Sequence, residues 1–221
     1  MDKKKSLIVH PGFGNKNKTI FNAILYYYPN NASLEKAGII HRLDKDTTGL
    51  MVIAKNMVSM FFLKKEMKLK RIIKKYDAIV IGNIKKNNII KKPISRDKII
   101  KNRMSINING KKSITEYKIL EKFKNYTYIR INLKTGRTHQ IRIHMSSCNY
   151  PLLGDKLYNN IKKKNKKKNK NNKKEIINFY RPALHSTILK LKNPNGKNYI
   201  TFISKLPNDM YKIINFLRKN N

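Results

Sequence analysis

Tryptophan is absent from this chain, cysteine occurs once, and carboxylates are scarce, with 12 Asp and Glu against 51 Lys and Arg. The lone Cys148 excludes an internal disulfide and a cysteine-rich zinc site. No run reaches 18 apolar residues, so no membrane-spanning helix is expected. The apolar residues between Lys5 and His10-Pro11-Gly12 are too few for the core of a signal peptide. These absences lead to the expectation of a cytoplasmic protein with no membrane partner, monomeric by default because nothing marks an obligate interface.

What is present is positive charge. The 221 residues carry a formal +39, on a body whose radius of gyration would be only roughly 17 Å. Hydrophobic residues reach 40%, enough for a core, so general disorder is not expected. Lys, Asn and Ile number 42, 29 and 32. All three are encoded by A/T-rich codons, so genome composition and a polyanionic partner such as nucleic acid both account for the charge.

Along the chain, Thr19 to Tyr28 has apolar residues at helical spacing and ends at Pro29, which predicts a helix; Asn56 to Lys70 and Asn208 to Leu217 predict two more. Strands are expected at Leu50–Ala54, Tyr76–Ile84, Ser105–Asn109, Thr115–Lys122, Thr127–Lys134, Thr138–Met145, Ala183–Leu191 and Tyr199–Ile203. The last two are joined by the turn Asn193-Pro194-Asn195-Gly196. Many strands with few helices imply an α+β fold around a mixed, mostly antiparallel sheet with flanking helices and loops. From Lys162 to Lys174 the chain is nine Lys and four Asn. This run cannot pack a core and reads as a low-complexity insert at about 159–176. Without it the charge is still +39 − 9 = +30.

Arginine marks three short windows. His41–Asp44, Gly136–His144 and Arg181–His185 hold four of the nine arginines and four of the five histidines. In a lysine-dominated chain, Arg is the residue whose planar fork pairs bidentately with carboxylate or phosphate. His139 and His144, read on a strand, fall on opposite faces with no Cys or carboxylate in metal spacing, so no metal is expected. The stretch His41-Arg42-Leu43-Asp44-Lys45-Asp46-Thr47-Thr48-Gly49 runs straight into an apolar segment. It fits catalytic groups placed beside a core strand and equally a turn braced by side chain–backbone bonds. In Thr138-His139-Gln140-Ile141-Arg142-Ile143-His144 the alternation predicts one apolar strand face and one polar row of Thr138, Gln140, Arg142 and His144.

Taken together these segments resemble the RluA family of pseudouridine synthases, nearest to its RluD-type enzymes of large-subunit ribosomal RNA. Gly38 to Lys55, with His41-Arg42-Leu43-Asp44 at its centre, is similar to the family's catalytic motif almost residue for residue. Thr135 to Met145 resembles its later motif, and Val9-His10-Pro11-Gly12, Pro93-Ile94-Ser95-Arg96, Pro151-Leu152-Leu153-Gly154-Asp155 and Leu184-His185 also fit. The resemblance covers essentially the whole chain outside 159–177.

The resemblance implies a pseudouridine synthase catalytic fold as one domain over 1–221, without the N-terminal S4-type RNA-binding domain of many relatives. It implies Asp44 as nucleophile, Tyr76 as the active-site tyrosine that stacks on the uracil, and Arg142 as the basic partner of the aspartate. Arg42 would help evict the target base, and His41, Lys45, Arg137, His139 and Gln140 would join it in contacting RNA. No metal or organic cofactor is implied. The expected partner is ribosomal RNA, possibly within the large subunit or its precursor. A synthase acting on transfer RNA and a non-catalytic RNA-binding ribosome-assembly protein are the alternatives; a decayed binder has no reason to keep Asp44, Tyr76 and Arg142 together.

Overall fold

The computed structural model describes residues 1–159 and 179–221. The Lys/Asn insert expected at 159–176 therefore lies outside the described residues, apart from Asn159. The chain divides into two compact units, Met1–Lys74 with Ser186–Lys205 and Lys75–His185 with Leu206–Asn221.

In chain order the strands are β1 (Asp2–Lys3), β2 (Thr48–Leu50), β3 (Ile73–Ile81), β4 (Asn88–Lys91), β5 (Ile94–Arg96), β6 (Met104–Ile106), β7 (Ile114–Phe123), β8 (Tyr126–Leu133), β9 (Leu184–Lys192) and β10 (Tyr199–Ile203). The α-helices are α1 (Ile20–Tyr27), α2 (Met57–Lys68), α3 (Gln140–Ser146) and α4 (Asn208–Lys219).

In the first unit, β1 pairs antiparallel with β2, setting Lys3 opposite Gly49, and β9 pairs antiparallel with β10 across the expected Asn-Pro-Asn-Gly turn. Helix α1 starts where Thr19 and Asn22 cap each other: the Asn22 N–H donates to Thr19 Oγ1 and the Thr19 N–H to Asn22 Oδ1. Helix α2 starts where Asn56 Oδ1 accepts from the Ser59 N–H. Its buried Met60 and Leu63 pack with Leu34, Leu50, Leu189 and Leu191.

In the second unit the antiparallel order is β3-β8-β7-β4, with a register shift in β7 between Ile119 and Glu121. Strands β5 and β6 form a separate pair. Helix α4 lays Met210, Ile213, Ile214 and Leu217 against a core that includes Ile79 and Phe123. The pattern is the α+β class expected from the sequence.

Two expected strands are corrected. Of the expected Leu50–Ala54 only Leu50 is strand, as the end of β2; beyond it, Ile53 makes an isolated bridge to Ile39. The segment Thr138–Met145 is no strand at all. It enters helix α3 through His139, whose backbone is left-handed (φ 54°), and the Ile143 N–H donates to the His139 carbonyl at 3.0 Å. Period-two alternation misleads here because the helix is only seven residues long and buried on most sides. Polar Gln140 and His144 sit inside with Ile141 and Ile143, and side-chain hydrogen bonds satisfy them in place of solvent.

Candidate active site

In the first unit, Asp44 opens a tight turn in which its carbonyl accepts from the Thr47 N–H at 3.1 Å. Leu43, 4% exposed, anchors the turn before it, and Gly49 fixes the exit: its φ is +105° and a Cβ there would lie 2.3 Å from the Ser186 carbonyl oxygen. Only glycine meets both demands.

The turn is held from below by a residue that composition gives no reason to single out. Lys3 is 1% exposed, and its Nζ donates to the carbonyls of Lys45 at 2.7 Å, Thr47 at 2.8 Å and Lys4 at 3.1 Å. A buried ammonium has three protons to place, and two of these bonds fix the backbone just after Asp44. The β1–β2 pairing that sets Lys3 opposite Gly49 delivers it there.

His41, expected to contact RNA, has one edge of its ring on the backbone. Its Nε2 accepts from the Val52 N–H at 3.2 Å. Burial, aided by the charge of Lys74, pulls its pKa down to about 3, so the ring is neutral and its Nε2 lone pair stays available to Val52. Arg42 and Lys45 on the same turn are exposed.

In the second unit, Tyr76 lies on β3 opposite Ile131 and is 5% exposed. The next residue, Asp77, points to the other side, as strand periodicity requires. It takes a two-pronged grip from Arg130 at 2.7 and 2.9 Å and a hydrogen bond from the Tyr128 hydroxyl at 2.8 Å. Burial and the Asp77 carboxylate raise the Tyr128 pKa, so this hydroxyl keeps its proton.

Around α3 the polar groups interlock. Gln140, expected to contact RNA, is 2% exposed, and both ends of its amide are engaged within the protein. Its Oε1 accepts from Thr135 Oγ1 and the Arg137 N–H, and its Nε2 donates to the Ile114 carbonyl and Thr115 Oγ1. His144 is fully buried, its Nε2 donating to the Lys92 carbonyl at 2.9 Å and its Nδ1 meeting Thr115 Oγ1 at 2.8 Å. Burial lowers its pKa. Arg137 is exposed.

Arg142 is set by Asp155. Its Nε donates to Oδ2 at 2.7 Å and its Nη2 to Oδ1 at 2.9 Å. Asp155 is itself fixed by the Leu157 and Tyr158 N–H groups. The Tyr158 ring lies under the Arg142 guanidinium, 5.1 Å from its centre, a favourable cation–π placement. The Tyr158 hydroxyl accepts from the Met104 N–H at 2.8 Å and lies 3.0 Å from Nδ1 of His139, which is half-buried.

Lys3, Asp155 and Tyr158 are the residues that sequence reasoning missed as site components. Asp155 had a usable signal: it is one of 12 acids among 51 basic residues and closes a motif segment. Lys3, inside a run of three lysines, had none. Among the described residues no group of three His, Cys, Asp or Glu side chains is placed to hold a metal ion, and no helix is long and apolar enough to cross a membrane.

Comparison with known proteins gives the family and the fold. The family description "RNA pseudouridylate synthase" matches residues 1–147. The ribosomal large subunit pseudouridine synthase D of Buchnera aphidicola subsp. Acyrthosiphon pisum is 46% identical over 214 residues, 97% of this chain and 69% of that protein. Its counterpart in Haemophilus ducreyi is 43% identical over 218 residues, 99% of this chain and 67% of that protein. Among solved structures, human RNA pseudouridylate synthase domain containing 4 superposes with a TM-score of 0.76 at 23% identity, covering 98% of this chain and 88% of the other. That likeness is one of fold.

Proposed function

The chain belongs to the RNA pseudouridylate synthase family, and from that premise we propose that it converts uridines of large-subunit ribosomal RNA to pseudouridine, with Asp44 as the nucleophile. The observation that carries the reading is the 46% identity to a ribosomal large-subunit synthase over nearly the whole chain. The rigid mounting of the Asp44 turn on Lys3 supports it further.

The reaction is an isomerisation. The bond from uracil N1 to ribose C1′ breaks, the base turns, and C5 bonds to C1′. The hydrogen leaves C5 and N1 regains a proton, so no cofactor is needed for balance. A carboxylate serves as covalent nucleophile or as base. Arg142, held by Asp155, is in this reading the basic residue that accompanies the nucleophile. Tyr76 offers its ring to the flipped uracil. Removing the uridine from its stack costs a few kcal/mol, which Arg42 and stacking on Tyr76 offset. Lysine-rich surfaces hold the RNA backbone, with affinity that falls steeply with salt.

The test is tritium release from RNA labelled at uridine C5, with large-subunit ribosomal RNA and transfer RNA in parallel. Release from ribosomal RNA that vanishes in Asp44→Asn, with RNA binding retained, is the expected result. Release from transfer RNA alone overturns the substrate, and substantial turnover by Asp44→Asn overturns the nucleophile.

A further inference from the structure

The loop between His10 and Lys18 displays an aromatic ring in an unusual setting. Gly12 and Asn15 exchange backbone hydrogen bonds at 3.1 and 2.9 Å, closing a tight turn with Phe13 and Gly14 at its tip. Gly14 has φ +78°, and Phe13 is fully exposed. A Cβ on Gly12 or Gly14 would meet nothing within 4 Å, so the tip of the turn stands clear of the rest of the protein. A single exposed aromatic is ordinary on its own. This one is held out by a hydrogen-bonded turn beside a basic cleft.

The cleft has a volume of about 360 Å³ and is lined by Ser6, Ile8, Lys45 and the loop residues 14–18. Lys16, Lys18 and Lys45 supply ammonium groups, Asn15 and Asn17 amides, and Ser6 a hydroxyl; none of the lining residues is acidic. The donors suit a phosphate. The volume lies near the lower end of the range for small-ligand sites, roughly 300–1,000 Å³, room for one phosphate and its ribose. Ser6 and Lys18 both adopt left-handed backbone, φ 64° and 60°. Lys45 follows Asp44 in the chain, and Lys3 holds its carbonyl, so the cleft adjoins the catalytic turn.

We infer that this cleft is a subsite for a nucleotide flanking the target uridine, in which the lysines take the phosphate and Phe13 stacks on the base. The inference rests on the proposed ribosomal RNA substrate. Stacking on an aromatic tolerates any base and strengthens binding by roughly 5- to 150-fold per base. The lysines add a contact that weakens with salt. The subsite thus grips the strand next to the target without reading its sequence.

Because the chain has no tryptophan, Phe13→Trp installs a single reporter at the site. Quenching of its fluorescence by a large-subunit ribosomal RNA fragment, but not by polyglutamate, is the expected result. Absence of quenching by RNA, or equal quenching by polyglutamate, overturns the inference. Steady-state tritium release separates the contributions. Phe13→Ala is expected to raise KM about tenfold with kcat within twofold, and Phe13→Trp to restore it. The Lys16→Gln, Lys18→Gln double variant is expected to reduce the slope of log(kcat/KM) against log salt by about 1.5. Unchanged KM and slope in variants of an active wild-type enzyme overturn the subsite alone. A wild-type enzyme that releases nothing from ribosomal RNA overturns the substrate reading beneath it.

Discussion

Asp155 grips Arg142 through two near-parallel hydrogen bonds of 2.7 and 2.9 Å, with the carboxylate fully buried and the guanidinium side chain 11% exposed. Both charges are withdrawn from water, so each depends on the other. The pair fixes the orientation of the Arg142 guanidinium, and Tyr158 closes one face of it.

Asp155→Asn removes one charge and strands the other. Breaking a buried pair in this way costs about 3–5 kcal/mol. Urea unfolding is expected to show a loss of that order, and kcat to fall by more than tenfold in the protein that remains folded. Arg142→Lys keeps the charge but loses the fork, so it is expected to retain more stability than Asp155→Asn while still losing rate.

Lys3→Met removes three charge-assisted bonds to backbone carbonyls. Hydrogen bonds to a charged group are worth roughly 1.5–3 kcal/mol each before the gain from burying the methionine. A net loss of about 2–4 kcal/mol is expected by denaturant titration, together with a fall in kcat at little-changed KM. Lys4→Met, an exposed neighbour, is the control and is expected to change neither.

His41 titrates near 3 in the folded protein because of burial and the charge of Lys74, against about 6.5 unfolded. The unfolded chain therefore binds the extra proton first. The stability contributed by the neutral ring is complete above pH 6.5 and is lost as pH falls from there toward 3, by up to about 1.4 kcal/mol per pH unit. Buried His144 acts in the same direction. His41→Gln is expected to flatten the fall of the urea midpoint between pH 6.5 and 4. An unchanged slope would remove His41 as a source of the acid sensitivity.

Gln140 and Arg137, three residues apart, are expected to separate structure from RNA contact. Gln140→Ala leaves buried partners unpaired and is expected to cost about 2–4 kcal/mol with no change in the salt dependence of RNA binding. Arg137→Gln, at an exposed position, is expected to leave the melting temperature alone and reduce the salt slope by roughly 0.7–0.9. Filter binding at several salt concentrations checks both.

Much of the fold was legible along the chain. Caps and apolar spacing located α1, α2 and α4, and β-branched alternation located β7, β8 and β10 within a few residues. These elements are specified by contacts within a few residues and by a single buried face. Thr138 to Met145 defeated the same reasoning. It is buried on most sides, and its polar side chains are satisfied by Thr115 and the Ile114 carbonyl, 25 to 29 residues away, and by Thr135, five residues before Gln140.

The sequence by itself determined the family: the motifs that hold Asp44 and Arg142 are long enough to identify it. Tertiary structure alone decided how those groups are held. Lys3 reaches the Asp44 turn across 42 to 44 residues, and Asp155 reaches Arg142 across 13. Hydrogen bonds of a buried charge go to whichever carbonyl or carboxylate the fold brings within reach, and linear spacing carries no record of that choice.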